Sequence, residues 1–127
     1  MNIKRSAQII AAIGALLFVA KAQETGPSAG KLPRLVDLGA SKCLPCKMMA
    51  PILEDLKKEY AGRLAVEFID VWKNPDAGKE YGVRVIPTQI LYGADGKELF
   101  RHEGFFGKED ILAKWKELGA DLSAKPQ

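Results

Sequence analysis

Between Leu35 and Tyr60 the spacing of the apolar residues changes its period, and the change falls on a pair of cysteines. Leu35-Val36-Asp37-Leu38 is a short apolar run, the pattern of a buried strand, with Asp37 out of character for it. Gly39 to Lys42 reads as a loop. From Leu44 to about Tyr60, the residues Met49, Ile52, Leu53, Leu56 and Tyr60 recur at spacings of three and four, which predicts a helix. Pro51 lies inside that helix and is expected to kink it, having no N–H for the carbonyl four residues back. Gly62 is expected to end it. Cys43 and Cys46 therefore stand where a strand and loop feed into a helix.

The remaining pattern continues the alternation. Leu64 to Val71 reads as a strand, and Asn74-Pro75 starts a short helix that runs to about Tyr81 and closes at Gly82. Thr88 to Tyr92 is a strand, Ala94-Asp95-Gly96 a hairpin turn, and Lys97 to His102 the returning strand. Gly104 breaks that strand, and Lys108 to about Gly119 forms a last helix with Ile111, Leu112, Trp115 and Leu118 inward. The order is strand, helix, strand, helix, strand, strand, helix, an α/β pattern in a chain of 127 residues with room for one core.

The first 22 residues read differently. Lys4 and Arg5 make a positive start, an uncharged apolar run follows from Ile9 to Ala20, and Ala20-Lys21-Ala22 offers the small residues of a cleavage site. This is the three-part pattern of a secretory signal, expected to be cut after Ala22. The run is 12 residues long, short of the about 20 that span a membrane. An uncleaved anchor over residues 3–20 is the alternative. Residues 23–33, rich in Gly, Pro and small polar residues, read as a linker, which leaves 34–127 as the domain. The net charge of +3 resides in the signal, because Lys4, Arg5 and Lys21 are its only charged residues. The mature chain is neutral and gives no argument for a nucleic-acid partner.

The cysteine count narrows the chemistry. An exported disulfide scaffold would use several pairs to close long loops, whereas this lone pair closes almost nothing. Redox work or metal binding remains. The N-terminus of a helix carries a partial positive charge of roughly +0.5. A Cys43 thiolate placed there is stabilised and titrates below the free value of about 8.5. Cys43, at the start, is expected to attack a substrate disulfide, and Cys46, one turn inside, to resolve the mixed disulfide. Pro45 sits in the first turn, where its missing N–H costs little.

From about Leu35 to Leu118 the chain resembles thioredoxin. Cys43-Leu44-Pro45-Cys46-Lys47-Met48-Met49-Ala50-Pro51-Ile52-Leu53 matches that family's active-site helix, internal proline included. Asp37 falls on the family's buried acid, Val85-Ile86-Pro87-Thr88 on the loop whose proline is cis and faces the cysteines, and Gly104 on a glycine of the substrate groove. The resemblance implies a thioredoxin-like fold: a central mixed sheet flanked by helices, here with a short N-terminal part. It also implies that Ile86 backbone groups pair with an extended substrate strand. Asp37, in an apolar strand, is expected to titrate high through desolvation and to exchange a proton with Cys46. The plainer reading of Asp37 is a buried acid satisfied by a backbone donor. His102 reads as a surface strand residue, and Trp72 and Trp115 as packing residues.

The sequence also departs from the family. Lys42 stands where a tryptophan usually precedes the first cysteine, and Gly39 replaces a second groove tryptophan. Phe68 takes the place of the lysine usually paired with the buried acid, and the dipeptide between the cysteines is Leu-Pro rather than Gly-Pro. The expected function is a periplasmic protein-disulfide reductase, acting as a monomer on protein disulfides. It would be recharged by a thiol carrier, expected in the membrane. No cofactor or metal is expected beyond the Cys43–Cys46 disulfide. A disulfide oxidase or isomerase is the alternative on the same chemistry. A module holding Cu(I) on the cysteine pair, or an adaptor without turnover, is the alternative of a different class.

Overall fold

A computed structural model describes residues 31–123. The expected export signal, and the expected linker as far as residue 30, lie outside the described residues. Seven elements follow the expected order: β1 (Arg34–Gly39), α1 (Leu44–Glu59), β2 (Ala65–Asp70), α2 (Pro75–Glu80), β3 (Thr88–Tyr92), β4 (Glu98–Glu103) and α3 (Lys108–Glu117).

The four strands form one mixed sheet in the order β2-β1-β3-β4. β1 and β2 run parallel, with Asp37 opposite Phe68 and Gly39 opposite Asp70. Parallel neighbours need a long crossover, and α1 supplies it. β3 is antiparallel to both β1 and β4. The β3–β4 hairpin closes through Gly96, at φ +83°, a conformation that glycine adopts without the Cβ clash of other residues.

Period-two alternation sends successive strand residues to opposite faces. Leu35 and Leu91 point to one face, where Met49, Leu53 and Leu56 of α1 and Ile111 and Trp115 of α3 complete the main core. Val36, Leu38 and Ile90 point to the other face, against Ile69, Val71, Tyr81 and Val83. α2 lies on that second side, with Gly78 close against the Val71 side chain. Asp37 shares the parity of Leu35, so its side chain lies under α1.

α1 starts with Cys43 as its N-cap and runs unbroken through Pro51 to its cap at Tyr60. Two positions depart from the sequence reading. Trp72, expected to pack, is 58% exposed, because the chain has left β2 and turns at that point. His102, expected on the surface, is half-buried, because its ring lies flat on Phe106.

Candidate active site

The C-terminal end of β1, the C-terminal end of β2, the start of β3 and the end of β4 meet at one end of the sheet. The cysteine loop leaves β1 there, and the Ile86–Pro87 loop enters β3 there. The loop between β1 and α1 is held by the Ser41 N–H, which donates to Asp70 Oδ2 at 3.2 Å, and by the Cys43 N–H, which donates to the Ala40 carbonyl.

Cys43 and Cys46 are joined by a disulfide, with their Cα atoms 5.2 Å apart. Cys43 is half-buried at the helix start, and Cys46 is 4% exposed beneath it. The Cys46 N–H donates to Cys43 Sγ at 3.4 Å. A thiolate at Cys43 would accept that same N–H within the positive end of the helix dipole. The two sulfurs thus differ in access and in electrostatic surroundings, as a nucleophile and a resolving thiol must.

The Ile86–Pro87 peptide is cis, as the resemblance implied. Thr88 braces the loop, its hydroxyl donating to the Val85 carbonyl at 2.6 Å. Gly104 lies beside it: its N–H donates to the Pro87 carbonyl at 2.7 Å, and its φ is +98°. Gly104 ties the end of β4 to the proline loop in a conformation that a residue with a Cβ rarely adopts. Ile86 is half-buried, and Val85 before it is exposed.

Asp37 is fully buried. Its Oδ1 accepts the Gln89 Nε2–H at 2.9 Å, and its Oδ2 has no hydrogen-bond partner. Burial pushes the carboxyl up to about 6, against the downward pull of the Gln89 amide. The donor is therefore a side chain and not the backbone group of the plainer reading. Gly39, two residues on, shares its face. A Cβ at Gly39 would lie 3.1 Å from Cys46 Sγ and 3.2 Å from the Phe68 ring. Two departures from the family thus make one packing unit, in which the bare glycine lets the ring of Phe68 lie beside the buried cysteine. The same ring borders an open apolar groove of 350 Å³ along Cys46, Ala50 and Leu53.

Sequence reasoning missed Gln89 and misplaced His102. The Gln89 Oε1 lies 3.0 Å from His102 Nδ1. A signal for Gln89 exists, since it has the parity of Leu91 and so a core-facing position in an apolar strand. Nothing in the sequence pairs it with Asp37 until β1 and β3 are in register. Among the described residues, no group of three or more His, Cys, Asp or Glu side chains is placed to hold a metal ion.

Comparison with known proteins agrees with this geometry. The sequence profile of the thioredoxin family matches residues 19–117. The chain is 43% identical over 90 residues to thioredoxin of Acidithiobacillus ferridurans, covering 71% of this chain and 82% of that one. It is 40% identical over 91 residues to thioredoxin of Mycobacterium tuberculosis, covering 72% and 78%. Among solved structures it resembles a chloroplastic thioredoxin z, with a TM-score of 0.64 and 31% identity, covering 72% of this chain and 81% of that one. With Cys43 capping α1 over the buried Cys46, these matches show that the chain belongs to the thioredoxin family and carries a thioredoxin-type thiol–disulfide oxidoreductase centre at Cys43 and Cys46.

Proposed function

We propose that this protein is an exported protein-disulfide reductase. The observation that carries the direction of the reaction is the Leu44-Pro45 dipeptide between the cysteines. It brings no histidine or other cation to the Cys43 sulfur. A strongly oxidising centre needs its reduced thiolate stabilised beyond what a helix end provides. Here the dithiol keeps its reducing power. Cys43 attacks a substrate disulfide presented as an extended segment against the Ile86 backbone, beside Pro87 and Gly104. Cys46 then displaces the substrate thiol and restores the disulfide seen in the structure. Asp37 takes the Cys46 proton in that second step, and its unpartnered Oδ2 is the open acceptor. A second thiol carrier, in the membrane, returns the electrons.

Equilibration against glutathione tests the direction. We expect a potential near the about −270 mV of thioredoxin. A value near the about −120 mV of a strong oxidant would make the protein an oxidase instead. Export rests on the pattern of residues 1–22. Mature protein from the periplasmic fraction is expected to begin at Gln23 on N-terminal sequencing. An intact Met1 in the membrane fraction would identify an anchor. Among the described residues no helix is long and apolar enough to cross a membrane.

A further inference from the structure

One row of side chains crosses the sheet beneath α1. Strand register sets Phe68 of β2 opposite Asp37 of β1, Asp37 opposite Gln89 of β3, and Gln89 opposite His102 of β4. Directly opposed residues present their side chains on the same face. The row therefore runs from an aromatic ring, through a buried acid and a buried amide, to the only histidine of the chain.

The amide links the two titratable members, and its own asymmetry dictates how. A carboxylate only accepts, so Gln89 must turn its NH₂ toward Asp37, and does so at 2.9 Å. Its oxygen is thereby turned to His102 Nδ1, at 3.0 Å. An amide oxygen only accepts, so His102 must carry a hydrogen on Nδ1. The imidazolium does, and so does one of the two neutral tautomers. The opposite amide orientation presents oxygen to Asp37 and requires a protonated carboxyl, and it presents NH₂ to a bare Nδ1. A neutral carboxyl can accept from the NH₂ through its carbonyl oxygen, but an ionised one allows no other orientation, so a hydrogen on His102 Nδ1 holds the amide as the ionised Asp37 needs it.

The histidine end is fixed from outside the row. Phe106 stacks on the His102 ring with centroids 4.2 Å apart and planes 12° apart. The Phe106 N–H in turn donates to Met49 Sδ of α1 at 3.4 Å. On the other side of Asp37, Phe68 offers neither charge nor donor.

We propose that His102, acting through Gln89, is the positioning group for Asp37: its Nδ1–H holds the amide in the orientation that donates to the ionised carboxyl, so that this support reaches Asp37 in this chain from β4 and not from β2. The proposal rests on the reading of Asp37 as the proton acceptor of Cys46. The neighbouring charges are engaged elsewhere. Arg101 pairs with Glu98, and Glu103 with Arg84, both on the opposite face from His102. Lys108 of α3 pairs with Glu59 of α1, and Lys114 of α3 pairs with Glu117 above the Phe100 ring. Lys47 and Glu54 of α1 border the groove on the Phe68 side. Cys46 is held in the disulfide.

Nuclear magnetic resonance on the reduced, isotope-labelled full chain tests this without a substrate. Long-range proton–nitrogen spectra at pH 8 are expected to place the His102 proton on Nδ1. The Asp37 carboxyl carbon, followed from pH 4 to 9, is expected to titrate at least about half a unit higher in His102→Phe, a threefold change in proton affinity. That variant keeps the aromatic stack on Phe106. His102→Lys is expected to reverse the shift. Gln89→Leu is expected to raise the Asp37 titration further, and adding His102→Phe to it to change nothing more. A His102 proton on Nε2 in the unaltered protein would overturn the proposal whatever the variants do. So would an unmoved Asp37 titration in His102→Phe. Failure to reduce insulin alongside these titrations would overturn the reductase reading and leave the coupling in place.

Discussion

Replacing Cys46 by Ser is expected to arrest the protein as a stable mixed disulfide through Cys43, while Cys43→Ser is expected to form no adduct. The reason is the difference in access at the helix start. Cys43 is half-buried, caps α1 and accepts the Cys46 N–H, whereas Cys46 is 4% exposed beneath it. On the proposed function, Cys43 is the sulfur that meets an incoming disulfide and Cys46 the one that releases it. Losing the nucleophile should lower the rate of insulin reduction by about 10³-fold or more, as in other enzymes stripped of theirs. In Cys46→Ser the remaining thiol should react with iodoacetamide with an apparent pKa below the free value of about 8.5. Mass spectrometry of the adducts, with alkylation followed across pH, reads both. Equal trapping by the two single variants would remove the assignment of roles.

Asp37→Asn is expected to slow resolution of the mixed disulfide and, at neutral pH, to stabilise the fold. Burial raises the carboxyl from 3.8 to about 6 in the folded protein. The folded state therefore holds this proton more tightly than the unfolded chain does. The stability this provides is complete below about pH 4 and is lost as pH rises to about 6. Above that, the ionised buried group costs about 3 kcal/mol. Asparagine removes that cost but leaves its amide where Oδ2 has no partner, a penalty of about 1–2 kcal/mol. The net gain at pH 7 should be about 1–2 kcal/mol, and the slope in stability between pH 4 and 6 should flatten. Urea melts at pH 4.5 and 7 measure both. The rate of the second exchange step should fall about 10²-fold, the lower end of general-base effects, and lose its rise through pH 6. Stopped-flow reduction over pH 5–9 follows it. An unchanged rate per folded molecule would leave Asp37 as a structural group.

Much of this site could be read along the chain because its determinants are local. The strand ending at Gly39, the helix starting at Leu44 and the cysteines between them follow from apolar spacing and from the tolerance of a first helical turn for Pro45. Local spacing alone placed Cys43 outside and Cys46 inside, since three residues are about one helical turn. The hairpin at Gly96 and the inward face of α3, with Ile111 and Trp115, were legible in the same way.

What surrounds Asp37 was decided by strand register alone. Phe68, Gln89 and His102 lie 31, 52 and 65 positions from Asp37 along the chain, yet pairing places all four in one row. A shift of one residue in either antiparallel pairing would turn Gln89 or His102 to the opposite face and dissolve the row. The sequence by itself determined the order of elements, the helix-capping cysteine and the burial of an acid before it. The tertiary structure decided which groups the acid meets: an amide where the chain suggested a backbone donor, and a phenylalanine ring in the space left by Gly39. It also took His102 from the surface its polarity suggested, because Phe106 returns over β4 and covers the imidazole. Periodicity reports which face a side chain occupies. Its neighbours on that face come from other strands, and only the packed sheet brings them there.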